Sequence, residues 1–197
     1  FIQNSATGNP TGAFEGGGGG SVYMSSNEPQ STSLGVSQPR FTRCGFYNNV
    51  ATGNTAPWGG AAVHLSDGGK LQVQYINCVF SGNQAQNNGG AIASFARVLG
   101  VADGYTPELK PSFTNCTFTQ NTAGTTGGAI FHDGFVYDGT EVLVARLENS
   151  VLWGNAATGS GPEIAQSANH FVTDSLIAGS GGSGPGGVQS LSTWPNA

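Results

Sequence analysis

From Cys116 to His132 the chain reads CTFTQNTAGTTGGAIFH, and closely similar stretches occur before and after it. The shared pattern is C-x-F-x-x-N-x-A, followed by a short polar link and then G-G-A. The preceding copy reads CVFSGNQAQNNGGAIAS, from Cys78 to Ser94. Self-similarity of this kind is the signature of a repeat protein, in which each copy forms one unit of a stack.

More divergent copies extend the repeat over almost the whole chain. One runs from Cys44 to Leu65, another begins with SVLWGN at Ser150, and an eroded copy begins at Ser175. The chain also opens inside a copy. Most of the variation in repeat length occurs after the Gly-Gly step. This pattern predicts a solenoid whose inserted loops all project from one side. The motif asparagines are Asn4, Asn49, Asn83, Asn121 and Asn155.

Apolar and polar residues alternate within each copy. Cys78 and Phe80 are predicted to face inward, whereas Val79 and Ser81 face outward, and this period of two indicates strands. We therefore predict an all-β fold, a single-stranded right-handed parallel β-helix of about five to six coils with loop insertions. Each coil is expected to hold three strands separated by turns. Residues 1–197 are expected to form a single β-helix domain.

Coils of such a solenoid lie about 4.8 Å apart, so equivalent residues form rows along the axis. The asparagine row is expected at a bend, where Asn tolerates the left-handed conformation and its amide bonds from coil to coil. The Gly-Gly step is expected to supply a second bend. The predicted inward apolar row is Phe46, Phe80, Phe118 and Leu152. A second predicted apolar row is Val22, Ala62, Ile92, Ile130 and Ile164.

The three cysteines, Cys44, Cys78 and Cys116, share one motif position. Their predicted spacing falls within disulfide range, but parallel in-register side chains suit the disulfide dihedral poorly. We expect buried thiols that act as small hydrophobic residues. There is no C-x-x-C spacing, so no metal site is predicted, and no cofactor is expected.

Charge composition excludes several function classes. The chain has 197 residues, of which 9% are charged, with 6 Lys+Arg against 11 Asp+Glu. Basic residues do not cluster, so no nucleic-acid partner is expected. No apolar run is long enough to span a bilayer, so no membrane insertion is expected.

Two histidines are weak candidates for catalysis. His64 and His132 both follow the second glycine of the step by four residues, and Asp67 and Asp133 come shortly after. A histidine near an aspartate can serve acid–base chemistry. The alternative is a pair of polar surface residues where strands enter turns, because Asp-Gly is a turn dipeptide.

The longest inter-coil segments carry aromatic residues that could bind a ligand. These candidates are Tyr105, Phe135 and Tyr137. Exposed aromatic rings can stack on sugar rings or bury in a partner. The alternative is that these loops fold back and cover the side of the β-helix.

The F-x-x-N and G-G-A-I pairing resembles the repeat of polymorphic outer-membrane protein passengers, which are autotransported surface adhesins. The stretch NSVLWGN at 149–155, followed by GPEI at 161–164, resembles secreted bacterial choice-of-anchor right-handed β-helix proteins. The resemblance implies extracellular or cell-surface placement and a structural or adhesive role. Similarity to pectate-lyase-type β-helices concerns the fold alone.

The expected function is an extracellular structural or adhesive module without catalytic activity, either a surface spacer or an end-to-end fibre subunit. Because the chain opens in mid-coil, we expect continuation in a longer chain or end-to-end self-association. A glycan or another cell-surface ligand is the expected partner. The alternative is a polysaccharide-binding or polysaccharide-degrading β-helix that uses the loop-decorated face. Scattered charges disfavour the degrading form.

Overall fold

The computed structural model describes residues 1–7, 20–26, 36–52, 60, 63–67, 70–96, 108–134, 136–137, 140–166 and 169–178. Within these ranges the regular structure consists of short β-strands, and neighbouring strands of the four main sheets are parallel. No helix in the described residues is long and apolar enough to cross a membrane. The predicted all-β parallel β-helix is confirmed.

Four parallel sheets of five strands run along the axis, and each coil visits them in the order I, II, III, IV. Sheet I comprises β3 (Arg40–Thr42), β8 (Gln74–Ile76), β13 (Ser112–Thr114), β19 (Val144–Glu148) and β23 (Asn169–Thr173). Sheet II comprises β4 (Gly45–Tyr47), β9 (Val79–Ser81), β14 (Thr117–Thr119), β20 (Val151–Trp153) and β24 (Leu176–Ile177).

The other two main sheets carry the asparagine and glycine segments of the repeat. Sheet III comprises β1 (Ser5–Thr7), β5 (Val50–Thr52), β10 (Gln84–Ala85), β15 (Thr122–Ala123) and β21 (Ala156–Ala157). Sheet IV comprises β2 (Val22–Ser26), β6 (Val63–Asp67), β11 (Ile92–Ala96), β16 (Ile130–Asp133) and β22 (Ile164–Gln166).

Two small sheets lie between sheet IV of one coil and sheet I of the next. Strands β7 (Lys70–Leu71) and β12 (Glu108–Leu109) pair in parallel. Strands β17 (Val136–Tyr137) and β18 (Thr140–Glu141) form an antiparallel hairpin. The described chain thus has four complete coils, with a half coil before them and another after them.

Three left-handed bends separate the sheets of each coil, and this changes two predictions. A bend between sheets I and II, at the residue before the cysteine position, divides one expected strand into two, so three strands per coil is wrong. The bend between sheets II and III lies one residue before the asparagine row, not on it. Its residues with positive φ are Gln3, Asn48, Gly82, Gln120 and Gly154. Those of the first bend are Arg43, Asn77, Asn115, Asn149 and Asp174.

The core consists of stacked rings in two adjoining rows. The rings of Phe46 and Phe80 stack with centroids 4.6 Å apart, as do those of Phe80 and Phe118. In the second row, the Tyr75 ring stacks on Phe113 at 5.2 Å. Rings of the two rows meet edge to face, as Phe113 and Phe118 do at 5.5 Å. Both arrangements are favourable for aromatic pairs, and they fix each coil over the next.

Candidate functional site

The asparagine row forms a continuous chain of buried hydrogen bonds. In each rung the backbone N–H and the side-chain amide of one asparagine both donate to the Oδ1 of the next. Asn83 donates in this way to Asn121 at 3.1 and 2.8 Å, and Asn121 to Asn155 at 2.9 and 2.8 Å. The second amide hydrogen of Asn121 goes to the carbonyl of Phe80 at 3.0 Å. The amide is therefore satisfied without water.

A carboxylate ends this row. Asn155 donates its side-chain amide to Oε2 of Glu163 at 2.5 Å and its backbone N–H to Oε1 at 3.4 Å. In the other rungs, the acceptor is the asparagine of the following coil. For Asn155, the acceptors come from Glu163 of the same coil. Glu163 is only 3% exposed. Burial raises the pKa of this carboxyl, and the hydrogen bonds from Asn155 offset part of that rise.

The cysteine position also follows one repeated geometry. The Cys116 thiol donates to the carbonyls of Thr114 and Tyr75, both at 3.4 Å. Ser150 takes the same position in the next coil. Its hydroxyl donates to the carbonyl of Glu148 at 2.9 Å and accepts from the backbone N–H of Cys116 at 3.0 Å. Cys44, Cys78 and Cys116 are all free thiols. Contact with the Cys78 thiol and burial together raise the pKa of Cys116, so this thiol stays protonated.

The two candidate histidines do not share a row. His132 pairs with Ser94 as predicted, but His64 pairs with Ala93, and Leu65 takes the position opposite Ser94. The predicted equivalence of His64 and His132 is therefore wrong. A shift of one residue in a strand moves a side chain to the other face. His132 is also fully buried, so its assignment as a surface residue is wrong.

The same shift corrects the second apolar row. Gly60 donates its N–H to the carbonyl of Asn88, which aligns Gly60 with Gly89. Val63 consequently pairs with Ile92, and the row position predicted for Ala62 belongs to Val63.

The side chains of the three aromatic loop candidates lie outside what the structure describes. Tyr105 and Phe135 lie outside the described residues. Tyr137 belongs to the hairpin strand β17, whose backbone alone is described. Among the described residues, no group of three or more His, Cys, Asp or Glu side chains could hold a metal ion.

One charged cluster lies beside the small parallel sheet. Lys110 forms a salt bridge to Glu108 at 2.6 Å, and the Gln72 amide also donates to this carboxylate. Burial pushes the pKa of Glu108 upward, but the two hydrogen bonds and the lysine charge outweigh it and lower the pKa. An exposed pair of this kind contributes at most about 1 kcal/mol to stability.

The outward face of sheet II carries two exposed aromatic residues that sequence reasoning did not single out. Trp153 is 58% exposed and Tyr47 is 37% exposed, and the two lie three strands apart in one row. Ser81 and Thr119 lie between them, as the strand register shows. The signal was present in the sequence, because Leu152 is inward and strand alternation then turns Trp153 outward.

Residues 77–94 and 115–133 match the Chlamydia polymorphic membrane protein repeat. Each match begins at a left-handed bend of sheet I and ends within sheet IV, so it covers one asparagine rung and one Gly-Gly step. The predicted resemblance to this repeat is confirmed over these residues. No curated protein and no solved structure matches the chain. The repeat is that of a surface-protein family, which is consistent with placement at a cell surface.

Proposed function

We propose that this chain is a structural and adhesive module of a bacterial surface protein, a rigid β-solenoid without catalytic activity. The observation that carries the proposal is the match of two coils to a surface-protein repeat. Its stacked construction suits the role, because a solenoid in which each coil contacts its neighbours extends along one axis.

Rigidity is supported by the rows that cross every coil boundary in the complete coils. Asn83, Asn121 and Asn155 join three coils through buried amide bonds. A hydrogen-bonded network that is fully satisfied inside a protein resists deformation, since breaking any member leaves buried polar groups without partners. Such a stack holds residues on its outer faces at fixed spacing, which favours display of a binding surface.

The adhesive role is tested with beads that carry the chain. Streptavidin beads are coated with the biotinylated chain and washed over cultured epithelial cells at fixed shear. We expect several-fold more beads to remain bound than with the Phe80→Asp variant, because a charge buried in the aromatic row prevents folding. Equal retention of the two bead populations would contradict the adhesive role. Circular dichroism of both proteins establishes which of them is folded.

End-to-end association is a further part of the proposal. Phe1 is 49% exposed and Ile2 is 64% exposed, and Ile2 pairs with Tyr47 at the edge of sheet II. Strand edges and apolar side chains exposed together favour association with another chain. A second copy that extends the stack at this edge would form a longer fibre.

A further inference from the structure

We propose that the outward face of sheet II binds an extended neutral polysaccharide, with the chain of sugars lying along the solenoid axis. The inference rests on the adhesive role proposed above and names the class of ligand. It differs from the sequence-based alternative, which placed glycan binding on the inter-coil loops. The site is the row Tyr47–Ser81–Thr119–Trp153, hereafter the sheet II row.

The two aromatic residues of the sheet II row are placed as stacking platforms. Three strand spacings separate Tyr47 from Trp153, a distance of about 14 Å. The Tyr47 ring lies over Gly45, since a side chain at Gly45 would overlap the ring atoms. Trp153 is the most exposed aromatic side chain of the described residues. Rings of this kind offer an apolar face together with a polar group at the edge.

Hydroxyl groups fill the space between the two rings. Ser81 and Thr119 lie on the sheet II row, and Thr117 lies beside them in the neighbouring outward row. Within the described part of the chain, none of these three hydroxyls has a hydrogen-bond partner. Ser81, Thr117 and Thr119 are each partly exposed. A ligand rich in hydroxyl groups can bond to each of them.

Amide groups flank the hydroxyls on one side. The exposed side chains of Asn77, Asn115 and Asn149 form a second, outer row at the bend between sheets I and II. Asn115 donates to Asn77 at 3.1 Å, and Asn149 donates to Asn115 at 2.6 Å. This outer row is therefore held in one orientation along the edge of the face.

The chemistry of the face favours a neutral sugar chain over a protein. The outward residues of sheet II carry no charge, so neither an acidic nor a basic partner is selected. Protein hot spots cluster their aromatic residues at the centre of a dry patch. Here Ser81 and Thr119 separate the two rings, and a protein covering the row would desolvate the hydroxyls between them at a cost. A sugar chain offers both apolar ring faces and hydroxyl groups along its length.

The experiment is affinity electrophoresis of the folded chain in gels that contain barley β-glucan, xyloglucan or galactomannan. We expect at least one of these polymers to retard the chain. Trp153→Ala is expected to weaken that binding by about tenfold, in line with loss of one stacking contact. Thr119→Val, which removes a hydroxyl and keeps the shape, is expected to weaken it by a smaller factor.

Phe171→Ala is the matched control, because Phe171 is a similarly exposed aromatic residue on sheet I, where Arg146 lies over its ring at 5.2 Å. This variant is expected to bind as the unmodified chain does. The proposal is overturned if none of the three polymers retards the chain, or if Trp153→Ala and Tyr47→Ala both bind normally. A further gel contains anionic hyaluronan, and retardation of the chain in that gel alone also overturns the proposal.

The two proposals fail separately. Beads that adhere to cells while no neutral polymer retards the chain leave the adhesive role intact and remove the sugar site. Retardation that depends on Trp153, together with beads that do not adhere, establishes the site and removes the cell-adhesive role.

Discussion

At the scale of single residues, Glu163 stands out because it takes the place of an asparagine as the hydrogen-bond acceptor of Asn155. Every other rung of the asparagine row draws its acceptor from the following coil, whereas Asn155 draws both acceptors from Glu163. The sequence shows why a substitute is needed, since the motif position of the next copy is Ser180. A serine side chain is shorter than an asparagine side chain, so its oxygen does not reach as far from the backbone as the Oδ1 of asparagine does.

We predict that Glu163→Gln changes how stability depends on pH. Burial raises the folded-state pKa of Glu163 above its ordinary value of 4.5, so the folded chain holds this proton more tightly than the unfolded chain does. The resulting stabilisation is present below pH 4.5 and is lost as pH rises through the raised pKa. A glutamine at this position keeps one oxygen that can accept the shorter bond, from the Asn155 side-chain amide, and it carries no titratable proton.

Urea unfolding of both proteins from pH 4 to pH 8 measures the difference. The free energy of unfolding of Glu163→Gln relative to the unmodified chain is expected to increase with pH and then level off. Glu148→Gln is the control, because that carboxyl is exposed. A difference between Glu163→Gln and the unmodified chain that stays constant with pH would show that Glu163 does not titrate differently on folding.

At the scale of strands and bends, the repeat motif predicted most of the architecture. Three fixed positions, the cysteine, the phenylalanine and the asparagine, lie within six residues of one another, so they set the register of sheets II and III without ambiguity. The pairing of Phe46, Phe80 and Phe118 follows directly from them. Stacked identical side chains then account for the order of the coils.

The register of sheet IV was harder to predict in one coil. The sequence Gly59-Gly60-Ala61-Ala62-Val63 allows two alignments with the Gly-Gly-Ala-Ile of other copies. Matching the glycines places Ala62 in the apolar row, whereas the structure places Val63 there. A branched aliphatic residue matches the volume of Ile92 in the next coil better than alanine does. The side-chain volume expected in the apolar row was therefore a better guide to the strand register than the positions of the two glycines.

We predict that two glycines of different bends respond differently to alanine. A Cβ at Gly90 would overlap the carbonyl oxygen of Gly128 in the next coil and the backbone of Thr122. Gly154 has a φ of +72° but nothing within 4 Å of its Cβ position. Gly154→Ala is expected to cost about 1–2 kcal/mol through backbone strain alone. Gly90→Ala is expected to cost at least about 3 kcal/mol, because the coils must separate.

Denaturant unfolding followed by circular dichroism compares the two variants. The larger loss of stability is expected at Gly90, where φ is not in the left-handed region. If Gly154→Ala proved the more destabilising substitution, backbone strain rather than close coil packing would be the main reason for glycine at these bends.

At the scale of the whole molecule, the two ends of the described stack differ. The asparagine row is closed by Glu163 at one end. At the other end, Asn4 donates to Asn49 at 2.9 Å, and its own Oδ1 accepts no hydrogen bond within the described residues. An approaching asparagine could therefore extend the row at the Asn4 end without displacing another group. Extension at the Asn155 end requires Glu163 to leave.

We predict that end-to-end association depends on the apolar edge around Ile2. Light scattering after size exclusion should give a molar mass that rises above 20.0 kDa as the concentration of the chain increases. Ile2→Lys should hold the mass near that of the monomer, because a lysine at a strand edge opposes pairing with another chain. Val151→Lys places the same charge on the outward face of sheet II and should associate as the unmodified chain does. If the unmodified chain stayed a monomer at every concentration, the fibre proposal would be wrong and a single adhesive module would remain. If Ile2→Lys and Val151→Lys reduced association equally, added charge in general, and not the edge at Ile2, would explain the loss.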